Sequence, residues 1–163
     1  MTMKSDAASS KLQGELVITR VFDAPPEVVF KAWTDPMQVE WWGPHCYTNP
    51  VCDLDVRPGG AWRIVMRAPD GVEYECGGIY SEVVKPERLV FTNNAYDHEG
   101  KSLLEGVTSV TFAAQGDKTK LTLETRMVGK VSYAAQMLAG MEAGWNQSLD
   151  RLADLVAKDR ERV

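Results

Sequence analysis

The stretch SYAAQMLAGMEAGWNQSLDRLADLVAK, residues 132–158, decides how the rest of the chain must fold. Its apolar positions Met137, Met141, Trp145, Leu149, Leu152 and Val156 recur every three or four residues and so form one stripe on one helix. The spacing predicts a single long helix to about Lys158, with Ser132 as its cap. A stripe of that length needs a broad apolar face to lie against.

Residues 51–128 supply such a face. Short runs with β-branched and aromatic content alternate with turn signals and predict six strands: Val51–Val56, Ala61–Ala68, Val72–Val84, Arg88–Ala95, Val107–Ala114 and Lys120–Met127. Pro69-Asp70-Gly71 is a hairpin signal, and Arg57-Pro58-Gly59-Gly60, Lys85-Pro86-Glu87 and Gln115-Gly116-Asp117 are further turns. Connections this short favour an antiparallel meander. Gly77-Gly78 inside a strand marks either a bulge or a close backbone approach.

Working outward to the N-terminus, Glu15–Asp23 alternates as a first strand. Pro25 or Pro26 opens a short helix through Val28–Trp33, with Glu27 well placed for its dipole. Asp35 is the expected N-cap of a second short helix, Met37–Trp42, which Gly43-Pro44 stops. Residues 1–14 are rich in Ser, Ala and Lys and are expected to form a disordered tail before one domain over residues 15–160. The expectation is an α+β fold in which a curved antiparallel seven-stranded sheet wraps a long C-terminal helix, with two short helices after strand one.

Composition limits the function classes. With 163 residues the chain can bury roughly two-thirds of its unfolded surface, enough for a core without staples. A net charge of −5 opposes nucleic acid and anionic membranes. No apolar run reaches membrane-spanning or signal-peptide length. Three cysteines cannot close a disulfide framework, so a reducing cytoplasm is the expected setting.

Residues that carry chemistry are sparse. His45, Cys46 and Cys52 lack the paired spacing of a zinc site, and no metal or cofactor is expected. A hydrolytic triad would have to use His45 or His98, both on loops, so no catalytic residue is assigned. Asp53 and Asp55 share one strand face, which reads as solvated. Large, soft and aromatic side chains stand out instead: Trp42, Trp62, Ile64, Met66, Tyr74, Cys76, Phe91, Met137, Met141 and Trp145. They are ordinary core material, and they are equally the walls of a small-molecule cavity where a curved sheet encloses more space than its side chains fill.

Several motifs occur in order: Phe22-Asp23-Ala24-Pro25-Pro26-Glu27-Val28-Val29-Phe30, Trp41-Trp42-Gly43-Pro44, Asp55-Val56-Arg57-Pro58-Gly59-Gly60-Ala61-Trp62, Pro86-Glu87-Arg88-Leu89-Val90-Phe91-Thr92 and Gly144-Trp145. Together they resemble the bacterial proteins similar to the C-terminal domain of the activator of heat-shock-protein-90 ATPase, within the START-like (SRPBCC) superfamily. The resemblance covers about residues 15–157 and implies a helix-grip domain with a hydrophobic cavity between sheet and long helix.

Three functions follow as expectations. The first is non-catalytic binding of a small hydrophobic or aromatic ligand by a monomer or homodimer. The second is regulation of a chaperone or other protein partner docked on the sheet's outer face. The third is a cyclase- or hydrolase-like enzyme, with His45, Tyr74 or an acid turned into the cavity. Arg20 shares parity with Leu16, Ile18 and Phe22 and is expected either to snorkel at the rim or to add charge to the pocket.

Overall fold

The structure, a computed structural model, describes residues 12–162. Of the expected tail, residues 1–11 lie outside the described residues, Leu12 accepts the Gly129 N–H, and Gln13 and Gly14 already belong to the first strand. In chain order the elements are β1 (Gln13–Phe22), α1 (Pro26–Thr34), a 3-10 turn (Val39–Trp41), β2 (Thr48–Leu54), β3 (Ala61–Arg67), β4 (Glu73–Val84), β5 (Arg88–Tyr96), β6 (Ser102–Gln115), β7 (Lys118–Gly129), α2 (Ala134–Ala139) and α3 (Met141–Arg162).

Seven strands form one antiparallel sheet in the order β1-β7-β6-β5-β4-β3-β2, as the short connections predict, with β1 returning to lie beside β7. The sheet curls over α3. Leu149, Leu152 and Val156 are fully buried against its concave face, among Phe22, Leu121 and Leu123. Full burial of three aliphatic side chains stabilises the fold by about 1.5–3 kcal/mol each, so the C-terminal half of the stripe anchors the helix.

Four expectations are corrected. The long helix is two helices, because Gly140 interrupts it with φ −85° and ψ −3°. Glycine is the weakest helix former after proline, and α2 is drawn aside onto β7, where Ala134 sits over Gly129. Ser132 does not cap; Tyr133 occupies that position and no side chain bonds there. The second short helix reduces to the 3-10 turn, and Asp35 ends α1 instead of starting a helix, its carboxylate accepting the Met37 N–H. Finally β6 begins at Ser102, not Val107. The register slips between Ala95 and Tyr96, so Leu103 bulges and both Leu103 and Leu104 turn inward, which breaks the alternation a regular strand would show.

Candidate functional site

One row of residues crosses the sheet's concave face in register: Ile64, Cys76, Ala95, Leu104 and Gly129, on β3 to β7 in turn. Its middle members, Cys76 and Ala95, are small. Gly140, at the junction of α2 and α3, and Gly144 on α3 line the same space. Small residues on both surfaces leave a gap that long side chains ring instead of filling. The result is a cleft of about 460 Å³, within the usual size of small-molecule sites.

Of the ten residues expected as cavity walls, seven line this cleft: Trp42, Met66, Tyr74, Cys76, Met137, Met141 and Trp145. Trp62, Ile64 and Phe91 do not, and for these the expectation is corrected. They pack behind Trp42, around a void of only about 10 Å³ that holds no more than a single water. Trp62 meets Phe91 edge-on at 5.5 Å and Trp42 at 5.4 Å, and its indole N–H donates to the Thr92 carbonyl at 3.0 Å. Those three residues belong to the packed core that also holds Trp33, Val39, Leu54, Tyr80 and Leu89.

All five tryptophans join in one cluster. Trp33 packs on Trp41 at 4.6 Å and stacks on Trp145 at 6.1 Å, while Trp42 meets Trp145 at 5.3 Å with planes 76° apart. Trp42 and Trp145 thus form the corner where packed core ends and cleft begins. Met127, Leu104 and Met137, with Met141 alongside, form a second apolar cluster on the far side of the cleft.

The loop carrying Trp42 is held by groups that pattern reasoning passed over. Arg151 on α3 donates to the carbonyls of Gly43 at 3.1 Å, Pro44 at 2.9 Å and Tyr47 at 3.0 Å, and also to Glu40. The Asn49 amide donates to the carbonyls of Val39, Glu40 and Trp42. Ser148 accepts the Gly43 N–H at 3.0 Å. The available signal was helical spacing: Ser148 lies three residues after Trp145 and Arg151 three after Ser148, each step joining neighbours on the helix surface.

Arg20 stays out of the cleft. Its guanidinium reaches from β1 to α3, bonding Asp150 at 2.6 Å and the Asn146 carbonyl at 3.0 Å. His45 lies outside as well, its ring 3.8 Å from Asp150, and His98 sits on an exposed loop. Among the described residues no group of three or more His, Cys, Asp or Glu is placed to hold a metal ion.

Cys76 is buried, its thiol donating to the Ile64 carbonyl at 3.4 Å, and burial pushes its pKa up to about 12; the nearby Trp42 indole opposes the rise, while Glu75 and Cys52 add to it. A thiol reagent at pH 8 is therefore expected to modify exposed Cys46 rapidly and Cys76 only after unfolding. Timed labelling with mass analysis checks this; rapid modification of Cys76 in the native protein would contradict it. The sign of the linkage follows. A folded-state value above the unfolded 9.0 favours folding below pH 9, and that contribution is lost as pH rises from 9 towards 12.

A seven-stranded antiparallel sheet gripping a C-terminal helix, with an apolar cleft at the start of that helix, defines a START-like helix-grip protein. Residues 23–157 match the family described as Activator of Hsp90 ATPase homolog 1-like protein, and the chain belongs to that family. The AHSA1 protein of Silicibacter pomeroyi is similar at 27% identity over 90% of this chain and 99% of its own, with a TM-score of 0.76. A Chromobacterium violaceum protein is similar at 29% identity over 88% and 96%, with a TM-score of 0.74. No curated protein matches the chain. Among the described residues no helix is long and apolar enough to cross a membrane.

Proposed function

We propose that the protein binds a small hydrophobic or aromatic molecule in the cleft between sheet and α3, without chemical conversion. The cleft carries this reading: about 460 Å³ walled by Trp42, Trp145, Met66, Met137 and Met141. Thioethers and indoles are polarisable and adapt to flat apolar surfaces. Neither histidine lines the cleft, and the one thiol that does is held protonated by burial. The Glu75 carboxylate is engaged by Arg63 at 2.7 Å and 2.9 Å. The three free thiols support a reducing, cytoplasmic setting.

Met141→Trp tests the proposal. In a filled core the added bulk costs roughly 1–3 kcal/mol; in the cleft it occupies open space. The expected result is an unchanged melting temperature together with loss of binding to an apolar fluorescent probe. A ligand in hundredfold excess over Kd stabilises the wild-type protein by about 2.7 kcal/mol, so thermal shift gives a second readout. Strong destabilisation by the substitution, with no probe bound to the wild type, would return the protein to the partner-docking function.

A further inference from the structure

We infer that the occupant of the cleft is a flat aromatic compound bearing a hydrogen-bond acceptor such as a carbonyl oxygen, and that Ser148 selects for that acceptor. This rests on the ligand-binding function proposed above and specifies its chemistry.

Ser148 lines the cleft from α3 and is only 5% exposed. Its Oγ accepts the Gly43 N–H at 3.0 Å. Ser148 enters this bond as acceptor, so its own O–H remains available to donate. A buried hydroxyl gains from using its donor as well as its lone pairs. Here that donor borders a cavity with room for a ligand, where an acceptor on the ligand can take it.

Of the hydroxyl, amide and carboxyl side chains that line the cleft, Ser148 is the one that is buried: Tyr47, Asn93 and Tyr96 are half-buried, Tyr74 and Gln136 are exposed, and Glu75 is bonded by Arg63. Two aromatic faces nearly perpendicular, Trp42 and Trp145, stand at the end of the cleft where Ser148 lies. A flat ring lying on one face meets the other edge-on, an arrangement aromatic groups favour. Its substituent oxygen then approaches the serine.

Acetylnaphthalene and ethylnaphthalene test this, since they share ring and carbon skeleton and differ by the carbonyl oxygen. Affinities for both are measured by titration calorimetry on the wild type, Ser148→Ala and Ser148→Thr. Ser148→Ala is expected to weaken acetylnaphthalene relative to ethylnaphthalene by about three- to tenfold, whereas Ser148→Thr, which keeps the hydroxyl, preserves the wild-type ratio. An unchanged ratio in Ser148→Ala overturns the inference while leaving ligand binding intact. Failure of both probes to bind the wild type overturns both.

The infrared carbonyl band of acetylnaphthalene bound to the wild type gives a measurement free of any variant. A shift below its position in hydrocarbon solvent supports the hydrogen bond; a band at the hydrocarbon position overturns it.

Discussion

Replacing Arg151 with methionine is expected to lower the melting temperature by about 6–12 °C, a loss of about 3 kcal/mol in a protein of this size. The guanidinium is half-buried and pairs with backbone carbonyls of the loop from Glu40 to Tyr47 instead of with a carboxylate. Burial lowers its pKa, which nearby Cys46 and Glu40 only partly offset, so the loop dipoles are what hold the charge in place. Hydrogen bonds to a charged donor are each worth about 1.5–3 kcal/mol, and water recovers part of the loss at the exposed carbonyls. Lysine should restore less than half, because a compact ammonium cannot span carbonyls that a planar fork reaches together. Thermal melting of Arg151→Met and Arg151→Lys measures this. Equal stability of all three proteins would show that the loop holds its shape without the fork. Probe affinity should fall along with stability, since the same loop carries the Trp42 wall of the cleft.

Gly78→Ala should be about as damaging, at about 3 kcal/mol or more. A Cβ at this position would lie 2.0 Å from the Thr92 carbonyl oxygen, and backbone on a central strand has nowhere to move. That oxygen already accepts the Trp62 indole N–H, and Trp62 stands opposite Gly78 in register. The methyl group would therefore disturb both the β4–β5 approach and the aromatic core behind the cleft. Of the two meanings open for Gly77-Gly78, close approach is the correct one; the bulge falls at Ser81, between Tyr80 and Glu82. Gly144→Ala provides the contrast. No atom lies within 4 Å of a Cβ there, and alanine in a helix interior is favoured over glycine by about 1 kcal/mol. Chemical denaturation of the two variants should move the midpoints in opposite directions. A Gly78→Ala protein as stable as the wild type would refute the close-approach account.

The cleft owes its existence to a local shortage of side-chain volume more than to any special group. Cys76 and Ala95 stand where the same row carries Ile64 and Leu104 on either side, and Gly140 and Gly144 line the same cleft from the α2–α3 junction and from α3. Gly140 serves twice, since it also ends α2 and lets that helix settle over Gly129. The four methionines around the gap, Met66, Met127, Met137 and Met141, are long enough to close it partly and supple enough to yield.

Periodicity alone determined the seven strands, their antiparallel pairing and the burial of Leu149, Leu152 and Val156, because apolar spacing and turn residues act locally and are written along the chain. Side-chain type, strand parity and helical spacing singled out seven residues that line the cleft. What tertiary structure decided depends on distances between residues far apart in sequence. Trp62, Ile64 and Phe91 are apolar and share the facing of Met66 and Cys76, yet Trp33, Trp42 and their neighbours close the space above them. The break at Gly140 arises because α2 finds a seat over Gly129, and the inward turn of Leu103 arises from a register slip against β5. Arg151 reads in the sequence as one more charge on a helix; only the return of the Trp41-Trp42-Gly43-Pro44 loop across α3 gives its donors their carbonyls. Local patterns report which face of an element is apolar, whereas whether two such faces meet or leave a gap is set by the shape of the whole sheet.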